Sequence, residues 1–269
     1  MTSLLTNASA MTALQTLSLT NKNLATTQNR IATGARVNEA ADNAAYWSIS
    51  VGMKNQSNLL SVVKDSLGFG KAILDAAYTG LDEAINLTME IHQRYLAREQ
   101  DGVDTDAIDA EIAELQAAID EIALSADFEG KNLLAGTAAG YGDAVVVTGY
   151  IKGDGSAGST EVKTATLEAF DLEAASAAMT DTDSTEEQLY LMREAASKLG
   201  AMKTRIDAQF SFTSKLIDAI DRGVGQLIDA DMNAESARLS ALQVQQQLGI
   251  QALSIANSSS QNILSLFRG

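Results

Sequence analysis

Few residues in this chain could do chemistry, and their spacing limits what they could do. His92 is the single histidine. A two-histidine zinc helix needs a second one four residues away, and a di-metal carboxylate bundle needs Glu-x-x-His twice. Here Glu90-Ile-His92 has the wrong spacing and occurs once, so His92 reads as a surface or interface residue. Asp229-x-Asp231-x-Asn233 begins like a calcium loop, but Ala234 stands where the sharp turn needs Gly and Ser240 where the bidentate Glu belongs. A helix interruption with capping carboxylates fits better. Gly68-Phe-Gly70-Lys71 lacks the first Gly and the Ser or Thr of a phosphate loop, which leaves a close-packing site. Tyr46 and Trp47 form an aromatic pair best read as packing a connector. The acidic run from Asp101 to Glu129 reads as a solvated face. With no Cys there is no disulfide or thiolate metal site. The expectation is no catalytic residue, no metal and no cofactor.

The elements that carry these residues are more informative than the residues themselves. Residues 1–38 and 236–269 together contain no Asp or Glu, and their only charged side chains are Lys22, Arg30, Arg36, Arg238 and Arg268. The net charge is −16, so the five cations of the ends leave −21 for the middle. Charge is therefore sorted, with ends that bury against something and a centre that faces water. The ends carry 21 large apolar side chains, Leu14, Leu17, Leu24, Ile31, Leu239, Leu242, Leu253, Ile263, Leu264 and Phe267 among them. Paired only with each other, they bury too little to offset the ordering of their backbones, so other copies of the chain are expected around them. An acidic chain argues against nucleic acid and anionic lipid partners. No apolar run is long enough to span a membrane, and the start lacks the pattern of a secretory signal.

In order, Leu4 to Ile31 suits a helix, with Leu17, Leu24 and Ile31 seven apart, Leu14 on the same face, and Gly34 as its stop. Asn7, Asn21 and Gln28 occupy positions where a simple zipper would place Leu, and polar seam residues fix register. Gly34 to Asp42 reads as a connector. A long helical pattern runs from Asn43 toward Arg98, weakened by Gly52, Gly68, Gly70 and Gly80, which allow a kink. A third helix, Thr105 to Ala126, is apolar on one side and acidic on the other. Val145-Val-Val-Thr-Gly149 and Glu161-Val-Lys-Thr-Ala-Thr166, joined by Gly153-Asp-Gly-Ser-Ala-Gly158, predict a hairpin within a non-helical span of about 136–183. Ser184-Thr-Glu-Glu187 fits a capping box opening the last long helix, interrupted at Asp229 to Asn233. The fold class is mainly α: long antiparallel helices in a rod-like bundle, terminal helices paired as a coiled coil, and a small β-hairpin mid-chain.

Three separated motifs then carry a family resemblance. Ile31-Ala-Thr-Gly-Ala-Arg-Val-Asn-Glu-Ala-Ala-Asp-Asn-Ala-Ala45 resembles the N-terminal signature of bacterial flagellin. Asp127-Phe-Glu-Gly-Lys-Asn-Leu-Leu134 resembles its mid-chain turn, and Ala256-Asn-Ser-Ser-Ser-Gln-Asn-Ile-Leu-Ser-Leu-Phe-Arg268 resembles its ending, with Ser259 where Pro is frequent. The Asn43 to Ser48 variant is similar to alphaproteobacterial members. The resemblance implies a structural subunit, not an enzyme, that polymerises into the extracellular flagellar filament used for swimming. The alternative is a junction or minor filament protein of the same family. It implies inner-tube helices at 1–38 and 236–269, with the ten apolar residues named above as subunit interface. It also implies a helical bundle at 39–135 and 184–235 in which Arg36, Asp42, Tyr46 and Trp47 pack the connector, and a variable outer segment at 136–183. The implied partners are many copies of the same chain, an export chaperone at the C-terminal end, and junction and cap proteins. Export through the flagellar type III route, without a cleaved signal, goes with these.

Overall fold

A computed structural model describes residues 7–135, 142–151 and 161–266. Six helices and two small antiparallel sheets follow in the order α1 (Ala8–Thr33), α2 (Ala44–Arg98), α3 (Thr105–Ser125), β1 (Asp127–Phe128), β2 (Lys131–Asn132), β3 (Ala144–Ile151), β4 (Glu161–Leu167), α4 (Leu172–Ala177), α5 (Thr182–Ile228) and α6 (Met232–Leu266). The mainly α class expected from the sequence is what the chain adopts. It divides into two compact units, one of residues 1–55 with 220–269 and one of residues 56–219.

In the unit of residues 56–219, α2 and α5 run antiparallel, as three cross-helix contacts show. Lys71 meets Asp207 at 2.7 Å, Lys203 meets Asp75 at 2.6 Å, and the Thr88 hydroxyl meets the Met192 sulfur at 3.4 Å. Leu67, Leu74, Leu81, Ile91, Ile119 and Met192 are fully buried between the helices. α2 extends for 55 residues without a break, so the kink its glycines allow does not interrupt it. Packing explains two of them. A Cβ on Gly70 would stand 2.6 Å from Val146 Cγ2, and one on Gly80 would stand 2.8 Å from Leu134 Cδ1. The close-packing role read for Gly70 is thus what the neighbouring strand demands.

α3 starts at an Asp104 cap and returns along α2 through Arg98–Asp109 and Arg94–Glu111 ion pairs. Its exit is a two-residue turn with Glu129 at φ 52° and Gly130 at φ 76°, the double left-handed geometry that closes tight hairpins. Buried Asn132 organises this corner. Its amide donates to Ala123 O at 2.7 Å, while its Oδ1 accepts from the Leu134 and Ala135 amides. β3 and β4 pair with a bulge between Val147 and Gly149. The expected loop at 153–158 lies outside the described residues.

Two expectations need correction. The span 136–183 is not wholly non-helical: α4 lies within it, started by the Asp171 side chain accepting from the Ala174 amide. The last long helix opens at Thr182, and its cap is Asp181 rather than Ser184. Asp181 Oδ1 accepts from the Ser184 amide at 2.7 Å, and Ser184 Oγ accepts in return from the Asp181 amide at 3.0 Å. The reciprocal logic of a capping box survives, shifted three residues toward the N-terminus with Ser184 as its responding member.

Candidate functional site

The unit of residues 1–55 and 220–269 contains the paired end helices. α1 is capped by Asn7, whose side chain accepts from the Ala10 amide, and it stops at Gly34 in the left-handed region (φ 69°), as the sequence indicated. α6 is opened by Asp231, whose Oδ1 accepts from the Asn233 and Ala234 amides. That is the capping role anticipated for the Asp229 to Asn233 interruption. Four contacts set α1 and α6 antiparallel. Asn7 Nδ2 donates to Ala256 O at 3.0 Å, and Gln246 Nε2 donates to Asn21 Oδ1 at 2.8 Å. Leu17 lies against Gly249, and Arg30 meets Glu235 at 3.2 Å.

The less exposed positions of α1 are Ala10, Ala13, Leu17, Thr20, Leu24, Thr27 and Ile31, alternating threes and fours, with Arg30 beside the last of them. Those of α6 are Glu235, Leu239, Leu242, Gln246, Gly249, Leu253 and Ala256, in the same alternation. This is the spacing of a two-stranded coiled-coil seam. Small or polar residues fill every second seam position of α1, so the helices approach closely and bury few large side chains. The Thr20 hydroxyl is taken up by Thr16 O in its own helix, which leaves its methyl to the seam.

Leu17, Leu24, Ile31, Leu239, Leu242 and Leu253 therefore come together in the seam. Leu14 does not: it is 60% exposed, because a step of three back from Leu17 falls where no seam position exists. Ile263 and Leu264 belong to α6, but their side chains, like all of Phe267, lie outside the described residues. The sequence reading named Leu14 but none of the other outward apolar residues: Met11, Leu19, Val244, Leu248, Ile250 and Ile255 are also more than half exposed. Val244, Leu248 and Ile255 are four and seven apart, on one face of α6. The spacing held that signal, but the absence of acidic residues around it was the stronger mark.

The connector is zipped to the α5–α6 break by backbone. Arg36 N donates to Ile228 O and Ala230 N to Gly34 O, which makes a bridge between Ala35 and Asp229. The Arg36 guanidinium donates to Leu227 O at 3.0 Å and lies 5.9 Å from the centre of the Tyr46 ring. Asp42 accepts from the Asn38 and Glu39 amides, and these bonds hold its carboxyl below the ordinary carboxylate value. Tyr46 and Trp47 are 41% and 37% exposed, so neither is sunk in a core.

The candidate chemistry is not assembled. His92 is partly buried with no hydrogen-bond partner for Nδ1, and no group of three His, Asp or Glu capable of holding a metal occurs among the described residues. Among those residues no helix is long and apolar enough to cross a membrane. What the site offers is a partly apolar surface, free of acidic side chains apart from Glu235, displayed on two paired helices.

Comparison with known proteins agrees with that surface's place in the chain. Residues 4–139 match the bacterial flagellin N-terminal helical region, and residues 182–267 match the bacterial flagellin C-terminal helical region. Over the full length of both chains, a flagellin of Brucella melitensis is 45% identical and flagellin C of Rhizobium meliloti 39% identical. Flagellin FljO of Caulobacter vibrioides is 36% identical over 98% of this chain and 97% of its own. A crystal structure of Bacillus cereus flagellin shares 19% identity at a TM-score of 0.34, covering 61% of this chain and 88% of that one. That structural likeness is too slight to carry an argument, whereas the two helical regions and full-length relatives establish that the chain belongs to the bacterial flagellin family, a family of structural proteins.

Proposed function

We propose that many copies of this chain polymerise into a helical flagellar filament through α1 and α6. One observation carries this reading. The two helices lacking acidic residues beyond Glu235 leave Met11, Leu14, Leu19, Val244, Leu248, Ile250 and Ile255 exposed in the single chain. Removing such side chains from water is worth about 1.5–3 kcal/mol each. A second copy, equally poor in acidic groups there, is the surface that can cover them without desolvating a carboxylate. Residues 1–38 and 236–269 are then the packing segments. Leu17, Leu24, Ile31, Leu239, Leu242 and Leu253 close the seam within a chain, while Leu14 and the outward set meet neighbours. Arg36, Asp42, Tyr46 and Trp47 hold the connector.

On this reading the chain is a scaffold, not an enzyme, and its place is the extracellular filament. Export proceeds without a cleaved signal, a chaperone covers the C-terminal end beforehand, and cap and junction proteins bound the polymer. The test is electron microscopy of the purified chain beside versions lacking 1–38 or 236–269. The full chain gives long filaments, and each truncated chain stays monomeric with its central helices intact. Filaments from either truncated chain would overturn the proposal.

A further inference from the structure

The seam of α1 does not determine its own register. Its residues repeat every seven, so a slide by one heptad puts Leu24 where Leu17 was, Thr27 where Thr20 was and Ile31 where Leu24 was. Apolar packing alone distinguishes these alignments poorly. Three side-chain contacts do not repeat: Asn7 with Ala256 at the far end, Asn21 with Gln246 on the exposed side, and Arg30 with Glu235, which alone joins two charges. Glu235 is the single acidic residue among the seam positions of α6; it is 8% exposed and its Oε1 accepts from Arg30 Nη1 at 3.2 Å. Arg238 reaches the same oxygen at 3.5 Å from the exposed side of its own helix. A slide by one heptad along α6 would set the Arg30 guanidinium against buried Leu242, and a slide the other way would carry it past the start of α6; either takes Glu235 away from it.

The pair is a poor candidate for simple stabilisation. Arg30 Nε and Glu235 Oε2 are both buried without a hydrogen-bond partner, so both ions carry desolvation that their contact only partly offsets. A buried polar contact of this kind discriminates between alignments more than it strengthens any one of them. Its position supports that role. It is the next contact along both helices from the backbone bridge between Ala35 and Asp229, which ties the connector to the start of α6.

We infer that the Arg30–Glu235 pair is the register clamp of the terminal helices, from which α1 and α6 align toward the chain ends. Arg30 and Glu235 are positioning residues. The inference concerns pairing within one chain, so it stands or falls separately from polymerisation.

The chain has no native cysteine, so introduced pairs report alignment without background. Leu17→Cys with Gly249→Cys reads the observed alignment, and Leu24→Cys with Gly249→Cys reads the alignment one heptad out. The full-length chain carries either pair together with Arg30→Glu, with Glu235→Arg, or with both. Each single reversal is expected to raise the ratio of 24–249 to 17–249 cross-link at least about tenfold, as loss of one partner of a buried pair implies. The double reversal restores the original ratio, which general damage to the helices would not do. An unchanged ratio in the single variants, including a parallel loss of both links, overturns the inference. So does a double variant that stays shifted. Electron microscopy of the same samples reports filament formation independently.

Discussion

The helices of residues 56–219 and the pair formed by α1 and α6 differ in how they use apolar residues. Between α2, α3 and α5, leucines and isoleucines interlock until Leu67, Leu81, Ile91 and Ile119 are wholly inaccessible. Between α1 and α6, Thr20, Thr27, Gln246 and Gly249 take places that large side chains would fill in a self-sufficient bundle. Among the described residues of that pair, seven large apolar side chains are instead more than half exposed. The first region completes its core within one chain. The second is thin inside and sticky outside, as suits a part whose remaining packing comes from neighbours. The charges follow the same division: acidic residues crowd the first region and are nearly absent from the second.

If that contrast is right, damage to the two regions must have different signatures. The largest effect on folding is expected from Leu81→Ala, which opens a cavity in the central unit and should cost about 2–5 kcal/mol in urea denaturation of the monomer. Asn132→Ala comes next. It strands the Leu134 and Ala135 amides and Ala123 O in a buried corner, at a cost of about 1–3 kcal/mol for the unsatisfied groups. Gly70→Ala is expected to lose about 1–3 kcal/mol despite its better helix propensity, because the new methyl meets buried Val146 head-on. Unfolding curves of that variant that matched or exceeded wild type would show that β3 gives way.

Acid should act more gently, on the caps. Asp42 is held below 3.8 by the Asn38 and Glu39 amides, and Asp181 by the Ser184 amide and hydroxyl. Each group's folded value lies below its unfolded one. Its contribution is therefore complete above the ordinary carboxylate value and disappears as pH falls through the lowered one. Amide exchange at Asn38, Glu39 and Ser184 should accelerate only below about pH 4, and Asp42→Ala should abolish the pH dependence at the first two. The smallest effect on folding is expected from Leu248→Asp, within about 0.5 kcal/mol of wild type, because that side chain already faces water.

Much of this was legible in the sequence because it rests on local rules. Gly34 ends α1 through its own backbone freedom, Asp104 caps α3, and the apolar period of α3 is uninterrupted. Other features depended on partners distant in sequence. Gly52 to Gly80 suggested a weak helix, but α2 is held by Val146 and Leu134 closing on two of those glycines. α4 is too short for any periodicity, and is fixed by Asp171 and by backbone bonds from Phe170 and Leu172 to Leu133 and Leu134. The same holds at the candidate site. Leu17, Leu24 and Ile31 announced a seam by their spacing of seven. The alternate positions were occupied by Thr and Ala, so nothing apolar marked them, and Leu14, read as sharing the face of Leu17, is exposed beside the seam. Glu235 ended the stretch without acidic residues by a single position, and only its contact with Arg30 shows that it belongs to the pair.

The most direct test of the contrast is to change the outward face alone. Leu248→Asp in the full chain leaves the seam and the central core untouched, and its assembly can be followed by sedimentation and electron microscopy beside wild type. Filaments from wild type, with a variant that unfolds at the same urea concentration yet remains monomeric, are the expected result. A variant that polymerises as readily as wild type would contradict the claim that the exposed apolar faces of α1 and α6 hold copies of this chain together.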